Sequence, residues 1–241
     1  AAWTMGFVLV NQVTFLVISR LTTYANVVAA TTGATATGFT SYQKAQLMMM
    51  LPHAIITVSL ITALLPRLSR HAASGDLFTM AHEVAATART LLALIAPLAV
   101  LLAIAGPSLG MALYGHGNAG WDQGLAVGRL AALFAFGLPG YSMFYLFLRS
   151  YYARENTRTP FWLNAVFNLG HLGIGVTAFL AVAQPLRVPA LALAYSVSYL
   201  ATATYTWAKL RRELPDLPSI AAHVWRTLAA SSVAAAAAWA T

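Results

Sequence analysis

Residues 91–105 read LLALIAPLAVLLAIA, an apolar run without a single charged side chain. With its flanks it predicts a helix over 88–105, about the length that crosses the hydrocarbon core of a bilayer. Lipid offers the backbone no hydrogen-bond partners, so a segment of this kind is stable there only as a helix. Six further long apolar stretches lie near 3–28, 40–66, 124–148, 160–183, 188–208 and 221–241. The chain is therefore predicted to be an all-α polytopic membrane protein, a bundle of about seven transmembrane helices.

Composition agrees with a membrane location. Of the 241 residues, 59% are hydrophobic and only 8% are charged, against roughly 25% charged in soluble domains. The chain has no cysteine, which excludes disulfides and thiol chemistry. It begins at Ala1 without methionine and ends inside an alanine run, so it is expected to be part of a longer membrane protein.

Basic residues collect in every second gap between the predicted spans and give the bundle an orientation. Regions 66–89, 149–158 and 209–226 hold ten of them: Arg67, Arg70, Arg89, Arg149, Arg154, Arg158, Lys209, Arg211, Arg212 and Arg226. The alternate gaps hold only Arg187. The positive-inside rule places the ten-base side in the cytoplasm. Bases at span ends favour membrane topology and contact with anionic lipids over nucleic acid as a partner.

Proline and glycine predict local features of the helices. Pro107, directly after Gly106, is expected to end the third span, and residues 76–88 are expected to form a separate short helix at the inner surface. Pro52, Pro97 and Pro139 are expected to kink their spans. Gly170, Gly173 and Gly175 are expected to allow close helix packing.

Polar residues inside the spans are the candidate site. An Arg in the membrane costs at least about 2.5 kcal/mol on insertion scales, so Arg20 is expected to face protein or a watery cavity. Lys44 and Arg129 lie near span ends, where they either snorkel to the interface or reach the same cavity. His53 either bonds the carbonyl freed by Pro52 or carries protons. The full candidate set is Arg20, Lys44, Gln12, Gln43, Gln46, His53 and Arg129; Asn164 and Asn168 are expected to join helices to each other.

The acids lie outside the spans or at their edges: Asp76, Glu83, Asp122, Glu155, Glu213 and Asp216. A cavity lined by bases alone favours an anion such as phosphate or diphosphate and argues against a cation. No G-x-x-x-x-G-K-[ST], H-E-x-x-H or G-x-S-x-G motif occurs in the chain. The sequence therefore predicts no enzyme activity, no cofactor and no metal site.

Two segments resemble a known family. Residues 51–70, LPHAIITVSLITALLPRLSR, followed by Ala73-Ser74-Gly75-Asp76, resemble the eighth helix of the MurJ/MviN lipid II flippases. Residues 151–160, YYARENTRTP, resemble that family's loop between helices ten and eleven, and Val10-Asn11-Gln12-Val13 resembles its seventh helix in an actinobacterial style. The resemblance implies the C-terminal lobe, helices 7–13, of a 14-helix fold in the multidrug/oligosaccharidyl-lipid/polysaccharide exporter superfamily.

The implied division is a six-helix lobe over 1–208, a cytoplasmic linker over 209–220 and a thirteenth-type helix over 221–241 cut short at its end. The implied function is alternating-access movement of lipid II, the undecaprenyl-diphosphate-linked muropeptide, across the bacterial cytoplasmic membrane. Its polyprenyl tail would lie in a groove near the last two helices. Implied partners are lipid II, membrane lipids, the N-terminal lobe and regulators of cell-wall synthesis.

One position departs from the family. Members of the family carry an Arg about five residues before the proline of the eighth helix, where this chain has Leu47. They also carry an acid where this chain has Met50. Arg20 or Lys44 would then hold the diphosphate, with Gln12, Gln43 and Gln46 bonding sugars or peptide. The alternatives are a multidrug exporter, which would want membrane acids, a polysaccharide-unit flippase, or a non-transporting cell-wall scaffold.

Overall fold

The computed structural model describes residues 2–32, 37–117 and 120–240, and of residues 32 and 234–240 it describes the backbone only. These residues form helices joined by short turns. In chain order they are α1 (Ala2–Thr32), α2 (Phe39–Pro52), a π-helical segment (His53–Val58), α3 (Ser59–Ala73), α4 (Leu77–Tyr114), α5 (Gly120–Ala135), α6 (Leu138–Ala153), α7 (Arg158–Ala181), a 3₁₀ turn (Gln184–Leu186), α8 (Arg187–Glu213) and α9 (Ala221–Ala240).

The predicted class, an all-α polytopic membrane protein, is confirmed. Within the described ranges, five helical segments are long and apolar enough to cross a membrane, and the bent pair α5–α6 makes six. The seventh predicted span forms α9, which is not among these candidates. Alanine is only weakly apolar, and His223 and Arg226 occupy the first two turns of α9.

Helix α4 corrects three predictions, one of them the expected kink at Pro97, where the helix is unbroken. It runs unbroken for 38 residues from Leu77, so residues 76–88 are its first turns and not a separate helix. It also continues through Pro97 and Pro107 to Tyr114, so Pro107 does not end it. A proline removes one backbone hydrogen bond, and packing against a neighbouring helix can outweigh that loss. The neighbour here is α5, which lies against α4 along this stretch.

The expected kinks at Pro52 and Pro139 are present as breaks. Pro52 ends α2, and the next six residues adopt π-helical bonding before α3 resumes. Such π turns interrupt the regular hydrogen-bond ladder and re-aim the following side chains. Pro139 occupies the first turn of α6, where its missing N–H costs nothing. The predicted span 124–148 is consequently two helices bent by 51°.

The linker predicted over 209–220 begins later than expected. Helix α8 continues to Glu213, with Arg211 and Arg212 in its last turn, where basic side chains favour the negative end of the helix dipole. Leu214 then adopts a non-helical conformation, which the following Pro215 favours by steric clash.

Side-chain contacts bring the three basic regions to one end of the bundle. Arg154 after α6 forms an ion pair with Glu213 at the end of α8, at 3.1 Å. His223 of α9 hydrogen-bonds the carbonyl of Arg89 in α4, at 2.9 Å. At the opposite end the Gln184 amide donates to the carbonyl of Ala25 in α1, at 2.6 Å. The alternation of charged and uncharged gaps in the sequence is thus a real polarity of the molecule.

Glycines let α4 and α5 approach at backbone distance. A Cβ built on Gly128 would lie 2.2 Å from the carbonyl oxygen of Gly106, and one on Gly110 would lie 2.4 Å from the amide nitrogen of Gly128. Both helices carry the G-x-x-x-G spacing, at 106–110 and 124–128, which is typical of tightly packed membrane helices. The expectation for Gly170 and Gly173 is wrong: a Cβ would meet only one side chain at 3.8 Å at the first and nothing within 4 Å at the second.

Asp76 caps the N-terminus of α4 and should make the stability of this turn depend on pH. Its carboxylate accepts a hydrogen bond from the Thr79 amide at 3.0 Å, which lowers the pKa of Asp76 below its usual value, with a smaller effect of His71. A lowered folded-state pKa stabilises the fold above the unfolded value of about 3.9 and loses that stabilisation as the pH falls through the folded value. Asp76→Ala should therefore lower the melting temperature more at pH 7 than at pH 3, measured by thermal unfolding in detergent. An equal decrease at both pH values would contradict the capping role.

Candidate functional site

A cavity of about 370 Å³ opens between α1, α2, α6, α7 and α8. Its walls are amides, tyrosines and other aromatic or apolar side chains: Phe7, Asn11, Thr14, Phe15, Ile18, Tyr42, Gln46, Met50, Tyr141, Phe144, Tyr145, Leu148, Asn164, Phe167, Asn168, His171, Tyr195 and Tyr199. None of these lining residues is Lys, Arg, Asp or Glu. This cavity is therefore neutral, polar and aromatic, unlike the basic cavity that the sequence predicted.

Three asparagines form one wall and tie α1 to α7. The buried Asn168 amide donates to the Asn11 side-chain oxygen at 3.1 Å and to the Asn164 carbonyl at 2.8 Å. Asn164 and Asn11 both donate to the carbonyl of Phe7, at 3.4 Å and 3.1 Å. The prediction that Asn164 and Asn168 join helices is confirmed. Their four-residue spacing places both on one face of α7.

Aromatic rings form the opposite wall. Tyr199 is stacked on Phe167 with 3.8 Å between ring centroids. It also meets Tyr141 and Tyr195 edge-on, both at 4.8 Å. Gln46 of α2 lines the same cavity as Tyr195. Rings with hydroxyl groups beside amides are the surfaces that bind sugars and peptide groups, because they supply both stacking area and hydrogen bonds.

Two polar atoms of residues in the cavity lining, one on α1 and one on α7, have unused hydrogen-bonding capacity. Thr14 Oγ1 and His171 Nε2 are buried and have no partner among the residues that the structure describes. Both residues line the cavity. A buried polar atom without a partner costs about 1–3 kcal/mol. These two side chains therefore leave the hydrogen bonding of the cavity lining incomplete.

His53 lies behind the tyrosine wall, not in the cavity lining. Its Nδ1 is 3.1 Å from Ser142 Oγ, which also accepts a hydrogen bond from Thr57 Oγ1 at 3.1 Å. The His53 ring lies 4.2 Å from that of Tyr141. The expected bond from His53 to a carbonyl freed by Pro52 is wrong, since the π turn directs the imidazole to α6 instead.

The structure does not gather the seven predicted site residues into one site; of these, Gln46 alone lines the described cavity. Lys44 is half-buried, with its ammonium 5.0 Å from the centre of the Tyr114 ring. Gln43 is also half-buried, whereas Gln12, Arg20 and Arg129 are exposed.

Arg20 lies on the far side of α1 from the cavity. Ile18 lines the cavity, and two further residues turn the helix by about 200°. The expectation that Arg20 borders a void inside this lobe is not met in the described part of the chain. Any role of Arg20 in substrate binding belongs to the exposed surface of α1.

The cavity residues that the sequence analysis did not propose for the site are mainly tyrosines. Tyr141, Tyr145, Tyr195 and Tyr199 are unremarkable one by one, because tyrosine is common at membrane interfaces. Tyr195 and Tyr199 are four residues apart, as are Tyr141 and Tyr145, so each pair occupies one helical face. That paired spacing was the available signal.

Helices long and apolar enough to span a membrane, with basic residues gathered at one end of the bundle, define the class of multi-pass membrane proteins. A family model described as lipid II flippase MurJ matches residues 1–241. The chain belongs to this family.

Curated relatives agree over shorter stretches. A probable lipid II flippase MurJ of Rhizobium meliloti (strain 1021) is 26% identical over 133 residues, which cover 55% of this chain and 25% of the relative. The probable MurJ of Rhizobium tropici is 27% identical over 142 residues, 59% of this chain and 27% of that protein. The probable MurJ of Borreliella burgdorferi is 29% identical over 151 residues, 62% of this chain and 29% of that protein.

A solved structure of lipid II flippase MurJ in an inward closed conformation shares the fold. It superimposes with a TM-score of 0.71 at 20% identity, covering 83% of this chain and 40% of that one. The chain thus corresponds to well under half the length of the relatives and the solved structure that it matches.

Proposed function

We propose that the complete protein is a lipid II flippase, which moves the undecaprenyl-diphosphate-linked muropeptide across the membrane by alternating access. The observation that carries the proposal is the family match, which extends over the whole chain. The solved MurJ structure supports the same architecture. We place the polar headgroup between this lobe, residues 1–208, and an N-terminal lobe of the family fold.

The physical need for such a protein lies in the headgroup. Moving a diphosphate through hydrocarbon would strip a multiply charged group of water, at a cost of tens of kcal/mol on Born estimates. Protein donors replace the lost water. In this proposal the exposed Arg20 and the half-buried Lys44 face the diphosphate, while Gln46 and the asparagine wall serve the uncharged sugar and peptide groups.

The polyprenyl tail needs an apolar path open to lipid. A cleft of about 620 Å³ lies between α4, α6, α8 and α9. Its walls are mostly apolar and include Phe147, Trp207, Val224 and Trp225. The position of this cleft beside α9 supports the tail groove that the family resemblance implies. We therefore propose that the predicted extra helix over 221–241 takes part in binding the tail.

The basic end of the bundle sets the proposed orientation. Of the eleven bases in or beside the gaps between the predicted spans, ten lie in the three regions that meet at that end. By the positive-inside rule this end faces the cytoplasm, and we place the protein in the bacterial cytoplasmic membrane. Helix α1 then runs outward.

Depletion of the complete protein in its host tests the proposal. A flippase predicts that lipid II accumulates in the inner leaflet while cell-wall synthesis stops, measured by extraction and by accessibility to an externally added probe. Arrest without accumulation would support the scaffold alternative instead.

Two further observations separate the remaining alternatives. Competition between lipid II and an O-antigen-type lipid in reconstituted vesicles separates a lipid II flippase from a polysaccharide-unit flippase. An acid inside an N-terminal span would favour a multidrug exporter.

Replacing Arg20 with alanine tests the diphosphate role of this residue. Because Arg20 is exposed on α1, the variant should fold normally and complement depletion less well, with lipid II flipping reduced about tenfold for the loss of one charge-assisted contact of about 1.4 kcal/mol. Arg211→Ala is the control, since Arg211 is also exposed but lies at the basic end of the bundle and is not among the candidate site residues. Parental flipping by the Arg20 variant would remove Arg20 from the mechanism.

A further inference from the structure

A second groove lies at the basic end of the bundle, between the start of α7 and the end of α8. It encloses about 460 Å³ and is lined by Asn156, Arg158, Thr159, Trp162, Tyr205 and Lys209, among others. A smaller pocket of about 180 Å³ shares Tyr205 and Lys209 and extends the groove to Arg212. The groove and the cavity lined by Asn164, called the amide cavity from here on, lie on opposite faces of α7. Trp162 of the groove and Asn164 of the cavity are two residues, or about 200°, apart.

The charge balance of the groove is positive. Lys209 lies 3.2 Å from Glu213, but Glu213 also binds Arg154 at 3.1 Å, so one carboxylate serves two cations. Arg158 forms no ion pair with an acid in the described part of the chain. Its guanidinium lies 5.5 Å from the ring centre of Trp3 instead. Two donors with incompletely neutralised charge, Arg158 and Lys209, therefore line one groove.

The surroundings of these charges match a lipid and not a soluble anion. Trp162 and Tyr205 are each 54% exposed at the rim of the groove, as expected for aromatic side chains at the membrane–water interface. Further along the same face of α7 follow Val166 and Leu169, which are 48% and 70% exposed. Their spacing from Trp162 is four and seven residues, one helical stripe. An exposed apolar stripe directly below a basic groove fits an acyl chain hanging from a phosphate.

We propose that this groove binds an anionic glycerophospholipid of the leaflet at the basic end. Arg158 and Lys209 bond the phosphate, Trp162 and Tyr205 flank the glycerol region, and an acyl chain lies along Val166 and Leu169. Basic pockets between membrane helices at the cytoplasmic side are suited to such headgroups. The site is separate from the amide cavity and independent of what the protein transports.

Native mass spectrometry of the complete protein in detergent tests the site, with phosphatidylglycerol as the anionic probe and phosphatidylcholine as the zwitterionic one. The parent should bind phosphatidylglycerol more tightly than phosphatidylcholine. The variant R158Q/K209Q should lose about tenfold of the affinity for phosphatidylglycerol and keep its affinity for phosphatidylcholine. Equal phosphatidylglycerol binding by variant and parent would overturn the proposal.

A matched control separates this groove from the general positive charge of the surface. Arg70 and Arg211 are exposed at the same end but outside the groove, so R70Q/R211Q removes the same charge and should bind like the parent. An equal loss in both variants would assign the binding to the surface potential and refute a site. A polyprenyl diphosphate should leave the phosphatidylglycerol bound at equimolar concentration, whereas displacement from the parent would assign the groove to the transported lipid and overturn the proposal.

Discussion

Replacing Gly128 with alanine should destabilise the protein by several kcal/mol, the range of severe packing mutations. The added methyl would stand 2.2 Å from the carbonyl oxygen of Gly106 and 2.6 Å from the Cα of Pro107. Both are backbone atoms, so no side-chain rotation relieves the clash. Helices α4 and α5 would have to separate, which opens the contact that holds α4 straight through Pro107. Thermal unfolding in detergent and the yield of monodisperse protein measure the effect.

Gly173→Ala is the control for this substitution. It is the same chemical change, also in a membrane helix, but a Cβ at residue 173 meets nothing within 4 Å. Alanine has a higher helix propensity than glycine by about 1 kcal/mol, so this variant should melt at or slightly above the parental temperature. Two variants with equal melting temperatures would show that the close approach of α4 and α5 does not stabilise the fold.

The contrast between these glycines shows what the sequence could predict. The length of the apolar stretches located the helices, and the positions of Lys and Arg located the basic end of the bundle. Both signals depend only on local composition. Which glycines meet a neighbouring backbone depends on the helix that lies opposite. The four-residue spacing at 106–110 and 124–128 carried that information, whereas the expectation placed at Gly170 and Gly173 followed glycine content without a partner.

The candidate site was predictable only in part, for a similar reason. The sequence identified which side chains are costly in a membrane, but a helix face is assigned by its neighbours. Arg20 was expected inside because of its cost, and it lies on the exposed surface of α1. Gln46 was placed correctly at a cavity. His53 was expected to serve a local carbonyl, and it contacts Ser142, 89 residues away. The bend between α5 and α6 that brings Ser142 there has no strong signature besides Pro139.

Replacing Asn168 with leucine should abolish most transport while leaving the protein folded. The side chain is buried at the cavity wall and donates to Asn11 and to the Asn164 carbonyl. Leucine is similar in size, so the helices α1 and α7 remain packed, and hydrogen bonds between membrane helices contribute only about 0.6 kcal/mol on average. The cavity, however, loses its central amide and leaves the Asn11 oxygen without that donor. A site that recognises its substrate through hydrogen bonds binds that substrate poorly when one of the protein partners is missing. Lipid II flipping should therefore fall by at least about tenfold.

Reconstitution of the complete protein in vesicles, with lipid II flipping measured beside thermal unfolding, separates the two effects. Leu180→Ala is the control on the same helix, because Leu180 is 72% exposed and outside the cavity lining; it should flip lipid II at the parental rate. A large drop in melting temperature for Asn168→Leu would mean that the asparagines are structural ties and nothing more. Parental flipping by a stable Asn168→Leu variant would show that the substrate does not depend on this wall, and the neutral cavity would then lie outside the transport path. A folded protein that has lost flipping is the result expected if the amide wall receives the uncharged part of the headgroup.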